Sequence, residues 1–111
     1  MAYESAAQPE LAAREYHKAL RLEPRLGRAR VNLGNAQAAM GRWRSAEKSY
    51  RLALRDSSSD YDAMNNLAVA LMKQRRLPDE ARALAERAVA GGGVRDSVYR
   101  ATLQEVNAAR R

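Results

Sequence analysis

Few side chains in this sequence could do chemistry. His17, the one histidine, follows Tyr16 and has no cysteine, serine or carboxylate at a spacing that would tune it for proton transfer or metal binding. Asp60 with Asp62, and Asp79 with Glu80, stand where helical runs begin. Acids there accept from free backbone amides and complement the helix dipole, so they read as capping residues, not acid–base pairs. Cysteine is absent, which excludes disulfides and thiolate metal sites and leaves the redox compartment open. The residues predict no enzyme, metal site or cofactor. What remains is hydrogen bonding and charge. The amides of Asn32, Asn35, Asn65 and Asn66 can donate to a peptide carbonyl and accept from a peptide N–H, which fixes an extended backbone whatever its side chains.

The formal net charge is +7, carried mostly by arginine. Such a balance admits nucleic acid, an anionic membrane or an acidic protein partner. The arginines are scattered over every predicted helix without glycine or aromatic residues between them to stack bases, which favours solvated helix faces over nucleic-acid binding. No apolar run approaches the roughly 18 residues that span a bilayer, and the first residues do not read as a signal peptide. No membrane insertion is expected; the compartment is not legible and is cytoplasmic only by default.

The elements that must position these residues are helices. At 111 residues the chain is long enough for one domain, and a 46% hydrophobic fraction dominated by alanine, with 5% aromatic, suits closely packed helices better than a sheet. Met1 to Ala7 reads as the tail of one helix, and Pro9 opens the next, which runs to about Leu22 with Ala12, Tyr16, Ala19 and Leu20 as its apolar stripe. Helices follow at about Gly27 to Met40 and Trp43 to Arg55, broken by Gly41-Arg42. The next, Tyr61 to Lys73, is capped by Ser59 or Asp60 and buries Met64, Leu67, Ala68 and Leu71. Pro78 restarts the chain, and the helix runs to about Ala90, where Gly91-Gly92-Gly93 stops it through a left-handed cap or serves as a hinge. No strand precedes the triplet, so it is not a phosphate loop. The last helix, about Val94 to Ala109, puts Tyr99, Leu103 and Val106 on one stripe.

These helices repeat. Moving back 34 residues carries Ala46, Tyr50 and Ala53-Leu54 onto Ala12, Tyr16 and Ala19-Leu20; moving forward 34 carries Asn32-Leu33-Gly34 onto Asn66-Leu67-Ala68, and one extra residue near Pro78 makes the later matches Ala81 and Ala88-Val89. The pattern of Leu33-Gly34, Gly41, Trp43, Ala46, Tyr50 and Ala53-Leu54 resembles the tetratricopeptide repeat over nearly the whole chain. Two antiparallel helices leave one apolar face bare, so the next pair must stack on it, at a distance set by small residues such as Gly34 and Ala46. The resemblance implies an all-α, right-handed solenoid of antiparallel helix pairs: a partial repeat over 1–24, repeats over 27–60 and 61–93, and a capping helix over 94–111. Tyr3 falls where the family has an aromatic near the end of a first helix, and an array that begins mid-unit suggests a bacterial module cut from a longer protein.

The resemblance also implies a site. In this family the first helix of each pair lines a concave groove that receives a peptide or a partner's helix; by offset the lining residues are Arg28, Val31, Asn32, Asn35, Ala39, Asp62, Asn65, Asn66, Val69, Met72, Lys73, Arg100 and Gln104. Arg30 and Gln37 depart from the pattern, standing where large apolar residues are usual, and their stems are expected to snorkel along the first face. Asn35 and Asn66 match the asparagines with which some members grip a C-terminal carboxylate, but Val31 replaces the first lysine and Asp96 to Arg100 holds none, which weighs against that clamp. The expected function is a non-catalytic module binding a peptide or protein, with some acidic character to the partner. Alternatives are homodimerisation through the incomplete N-terminal face, a scaffold segment of a larger protein, and nucleic-acid binding through the arginines. The ending from Ala88 to Leu103 resembles repeat tails attached to certain bacterial cysteine peptidases, which would place catalysis elsewhere in a parent chain.

Overall fold

The computed structural model describes residues 7–93 and 95–109, which form six helices and no strand. They are α1 (Ala7–Leu22), α2 (Gly27–Ala39), α3 (Trp43–Asp56), α4 (Tyr61–Lys73), α5 (Pro78–Gly91) and α6 (Asp96–Ala109). The helix expected to end near Ala7, with Tyr3, lies outside the described residues. Ala7 itself already belongs to α1, so Pro9 is in the helix's described first turn and does not open it.

Consecutive helices pack side by side. In addition α2 touches α4 and α4 touches α6, so these three share one layer while α1, α3 and α5 alternate behind them. This is a solenoid-like stack of α-hairpins. Asp60 caps α4, its carboxylate accepting from the Ala63 N–H at 3.0 Å, and Pro78 opens α5. The α2–α3 turn uses Gly41 at φ 75°, whereas the longer α4–α5 turn places Arg75 and Leu77 at φ 55° and 48°.

Two side-chain clusters hold the stack. The larger runs from Val31 through Ala46, Tyr50, Met64, Leu67 and Leu71 to Leu84, Tyr99 and Val106. A separate small one, Ala13 with Leu33 and Ala36, joins α1 to α2, with Tyr16 and Leu20 at its edge. Glycine sets the distance at two joints. A Cβ on Gly34 would lie 2.5 Å from the Tyr50 ring, and one on Gly91 would lie 2.5 Å from the Tyr61 ring. The glycine triplet therefore divides its work: Gly91 admits a ring, while Gly92 and Gly93 take positive φ and stop the helix.

Ion pairs bind the hairpins to each other. Arg30 does not snorkel: its Nε donates to the Asp56 carboxylate at 2.9 Å and its terminal nitrogen to the Pro24 carbonyl, with 15% of the side chain exposed. Gln37 is also engaged, accepting from the Ser49 hydroxyl at 2.6 Å. Glu47, buried on α3, accepts from Gln74, Arg76 and Arg51, and Arg51 goes on to grip Glu80 of α5 through both terminal nitrogens at 2.7 and 3.0 Å. Burial alone would raise the Glu47 carboxyl, but its hydrogen bonds from Gln74 and Arg51 and the nearby arginine charges together hold it below the ordinary 4.5. The Arg51 hydrogen bonds lower Glu80 as well.

Gly34→Ala should destabilise by ~1–3 kcal/mol in urea denaturation, because the buried Tyr50 ring has nowhere to go. Gly91→Ala should cost less, since Tyr61 is 38% exposed and can swing out. Because both carboxyls are lowered on folding, their stabilisation is complete above pH 4.5 and is lost as pH falls from there through the lower folded values. Glu47→Gln should lower stability by ~1–3 kcal/mol at pH 7. The difference from the wild type should shrink as the titration is carried into acid.

Candidate peptide-binding face

The face formed by α2, α4 and α6 carries the residues expected to line a groove. Asn35 is exposed on α2, and its Oδ1 accepts from the Tyr50 hydroxyl at 2.7 Å and from Asn66 Nδ2 on α4 at 3.0 Å. Asn66 Oδ1 in turn accepts from Asn65 Nδ2 at 3.1 Å. The order of cause runs outward from the core. Gly34 lets the Tyr50 ring against α2, the buried ring needs a partner for its hydroxyl, and the hydroxyl fixes Asn35. Burial pushes the Tyr50 hydroxyl well above the ordinary tyrosine range, so it remains a donor at any physiological pH.

The expected residues do not all end up in the same surroundings. Asn32, Asn35, Ala39, Asn66 and Val69 share the open face, and Asn32, Asn35 and Ala39 border a shallow hollow of about 420 Å³ whose other wall is Gln8, Pro9, Ala12 and Tyr16 of α1. Others are spoken for. Arg28 pairs with Asp60 at 3.5 Å, Arg100 with Asp96 at 2.7 Å, and Asp62 with Arg95 at 3.5 Å while accepting from the Tyr99 hydroxyl. That hydroxyl is pushed up to about 12 by burial and by the Asp62 carboxylate. Lys73 sits 5.8 Å above the Trp43 ring, and Gln104 is exposed. Met72 turns instead into a 710 Å³ hollow with Arg75, Pro78 and Val106.

Val31 and Asn65 are corrections. Val31 is 1% exposed in the main core and Asn65 is 4% exposed, so neither offers surface to a ligand. One residue along a helix turns the side chain by about 100°, which moves a stripe-edge position from groove to core. The buried Asn65 Oδ1 has no hydrogen-bond partner among the described residues. Sequence reasoning also missed Tyr50 and Tyr99 as orienters of Asn35 and Asp62; the signal was there, since a tyrosine on a core stripe must place its hydroxyl somewhere.

With both asparagine oxygens occupied from within, the face has N–H groups to spare: the Asn35 amide nitrogen and one N–H of Asn66. Its arginines Arg28, Arg95 and Arg100 are already paired with neighbouring carboxylates, and Lys73 with the Trp43 ring. Among the described residues no group of three or more His, Asp or Glu could hold a metal ion, and no helix is long and apolar enough to cross a membrane.

A solenoid-like stack of helical hairpins with an amide-lined inner layer defines a helical-repeat protein. A tetratricopeptide-repeat family profile matches residues 31–94, more than half of the chain, and the chain belongs to that family. No curated protein matches it. Tetratricopeptide repeats are protein–protein interaction modules and are in general non-catalytic.

Tyr50→Phe should cost about 1 kcal/mol in stability. It should also shift the side-chain amide resonances of Asn35 and Asn66 in an NMR spectrum while leaving those of Asn107 in place.

Proposed function

We propose that the chain is a non-catalytic docking module whose α2–α4–α6 face holds an extended peptide of a partner protein through that peptide's carbonyl groups. The observation that carries this reading is the bridge between Asn35 and Asn66, which turns the remaining amide N–H groups of two neighbouring helices outward. Donors of this kind suit a backbone carbonyl whatever side chains flank it. Asn32, Val69, Lys73 and Gln104 extend the same face and would add side-chain selectivity. The ion pairs at Arg28, Arg95 and Arg100 argue for a peptide that is not strongly acidic here.

A second reading, self-association, is favoured by one observation: Leu11 and Leu22 of α1 are 54% and 85% exposed. Sedimentation equilibrium over a hundredfold range of concentration separates the two. The docking reading expects a monomer throughout.

Capture of partner proteins from a lysate should be lost in Asn35→Ala with Asn66→Ala, while the circular dichroism of the double variant stays that of the folded helical chain and its melting point falls only by the cost, ~1–3 kcal/mol, of leaving the Tyr50 hydroxyl without its acceptor. Undiminished capture would remove this face from consideration.

A further inference from the structure

The two clefts on the side away from the asparagines are unlike each other. Between α3 and α5 the space over α4 is closed by the Arg51 bridge from Glu47 to Glu80. Between α1 and α3, over α2, the corresponding residues are Ala13 and His17, 34 positions before Glu47 and Arg51, and Ser45, 35 positions before Glu80. None of these can make the bridge. The floor differs in the same sense: where α4 presents the fully buried Met64 and Leu71, α2 has Arg30 and Gln37. The result is an open cleft of about 530 Å³, within the range of ligand sites.

Its lining combines two chemistries. Leu20, Leu33 and Leu52 supply apolar surface, and Arg21, Lys48 and His17 stand around it. All three of the latter are exposed, and none has a hydrogen-bond or ion-pair partner among the described residues. Arg44 continues the positive rim along α3 beside Lys48. On the asparagine face, by contrast, the arginines are paired. At this cleft two unpaired cations, Arg21 and Lys48, lie beside apolar surface.

We propose that the α1–α3 cleft is a second docking surface, for an acidic segment of a partner protein whose carboxylates meet Arg21 and Lys48 and whose apolar side chain rests on Leu20 and Leu52. Carboxylates between two unpaired cations gain charge-assisted hydrogen bonds without breaking existing ones. The apolar walls at Leu20 and Leu52 ask for a side chain that a bare phosphate backbone does not have. This surface is independent of the asparagine face.

The test uses fluorescence anisotropy of a labelled eight-residue peptide alternating glutamate and leucine, titrated with the whole chain at low and at physiological salt. Saturable binding is expected, with at least a tenfold loss of affinity in Arg21→Glu with Lys48→Glu and a smaller loss in Arg21→Gln with Lys48→Gln. Leu52→Ser should also weaken it. Arg87→Glu, an exposed cation outside the cleft, and Asn35→Ala with Asn66→Ala should change it less than twofold. The proposal falls if no saturable binding occurs, if Arg87→Glu weakens binding as much as the cleft reversal, or if a single-stranded oligonucleotide binds more tightly than the peptide. It also falls if the cleft reversal instead abolishes self-association, which would make a second copy the occupant.

Discussion

The seating of the Tyr50 ring against Gly34, where there is no room for a Cβ, is the constraint on which the rest depends. It fixes how near α3 can come to α2 and fills the middle of the main core. It also carries the tyrosine hydroxyl out to Asn35, the next residue along α2. From there Asn35 takes the Asn66 amide, and Asn66 takes that of Asn65, so one backbone contact in the core orients three side chains on the surface. A larger residue at position 34 would disturb the core packing and the Asn35–Asn66 bridge together, because both rest on the same ring.

Charge does a separate job. The acids of α3 and α5 are used to tie hairpins together, Glu47 and Glu80 through Arg51, and Asp56 holds Arg30 inside the stack. A buried carboxylate such as Glu47 is tolerated because three donors converge on it, and removing one leaves part of its desolvation cost uncompensated. Acids spent this way are not available to neutralise the outer surface. Near the asparagines Arg28, Arg95 and Arg100 are paired, while Arg21, Arg44 and Lys48 at the other cleft are among the cations with no carboxylate beside them.

Much of this was legible in the sequence and some could not be. Helix limits came out within a residue or two because Pro78, Asp60, Gly41 and the glycine triplet are local signals. Gly34 was recognisable as a small contact because glycine inside a helical run needs a reason. The same logic did not reach Gly91, since a glycine at a helix end already has one. Arg30 and Gln37 stood out as departures, but their partners, Asp56 and Ser49, lie 26 and 12 residues away and depend on register and rotamer. Placement by offset brought Asn35 and Asn66, at the centre of the stripe, side by side on one face, but failed at its edge, where Val31 and Asn65 turn inward.

In a linear stack each joint is stabilised locally, so joints need not be equally firm. The core that runs from α2 to α6 is continuous, whereas α1 is attached by a small cluster of its own, Ala13, Leu33 and Ala36, over a floor that includes Arg30 and Gln37. With little apolar surface buried there, α1 belongs to the low end of local stability. A segment lodged between α1 and α3 would touch both walls of that weak joint and so add to α1's docking. The amides of Asn35 and Asn66, anchored through Tyr50 in the firm part of the stack, would be unaffected. Arg30 and Gln37 thus hold the floor of this cleft through polar bonds, to Asp56 and Pro24 and to Ser49, and large apolar side chains at those two positions would be expected to fill it.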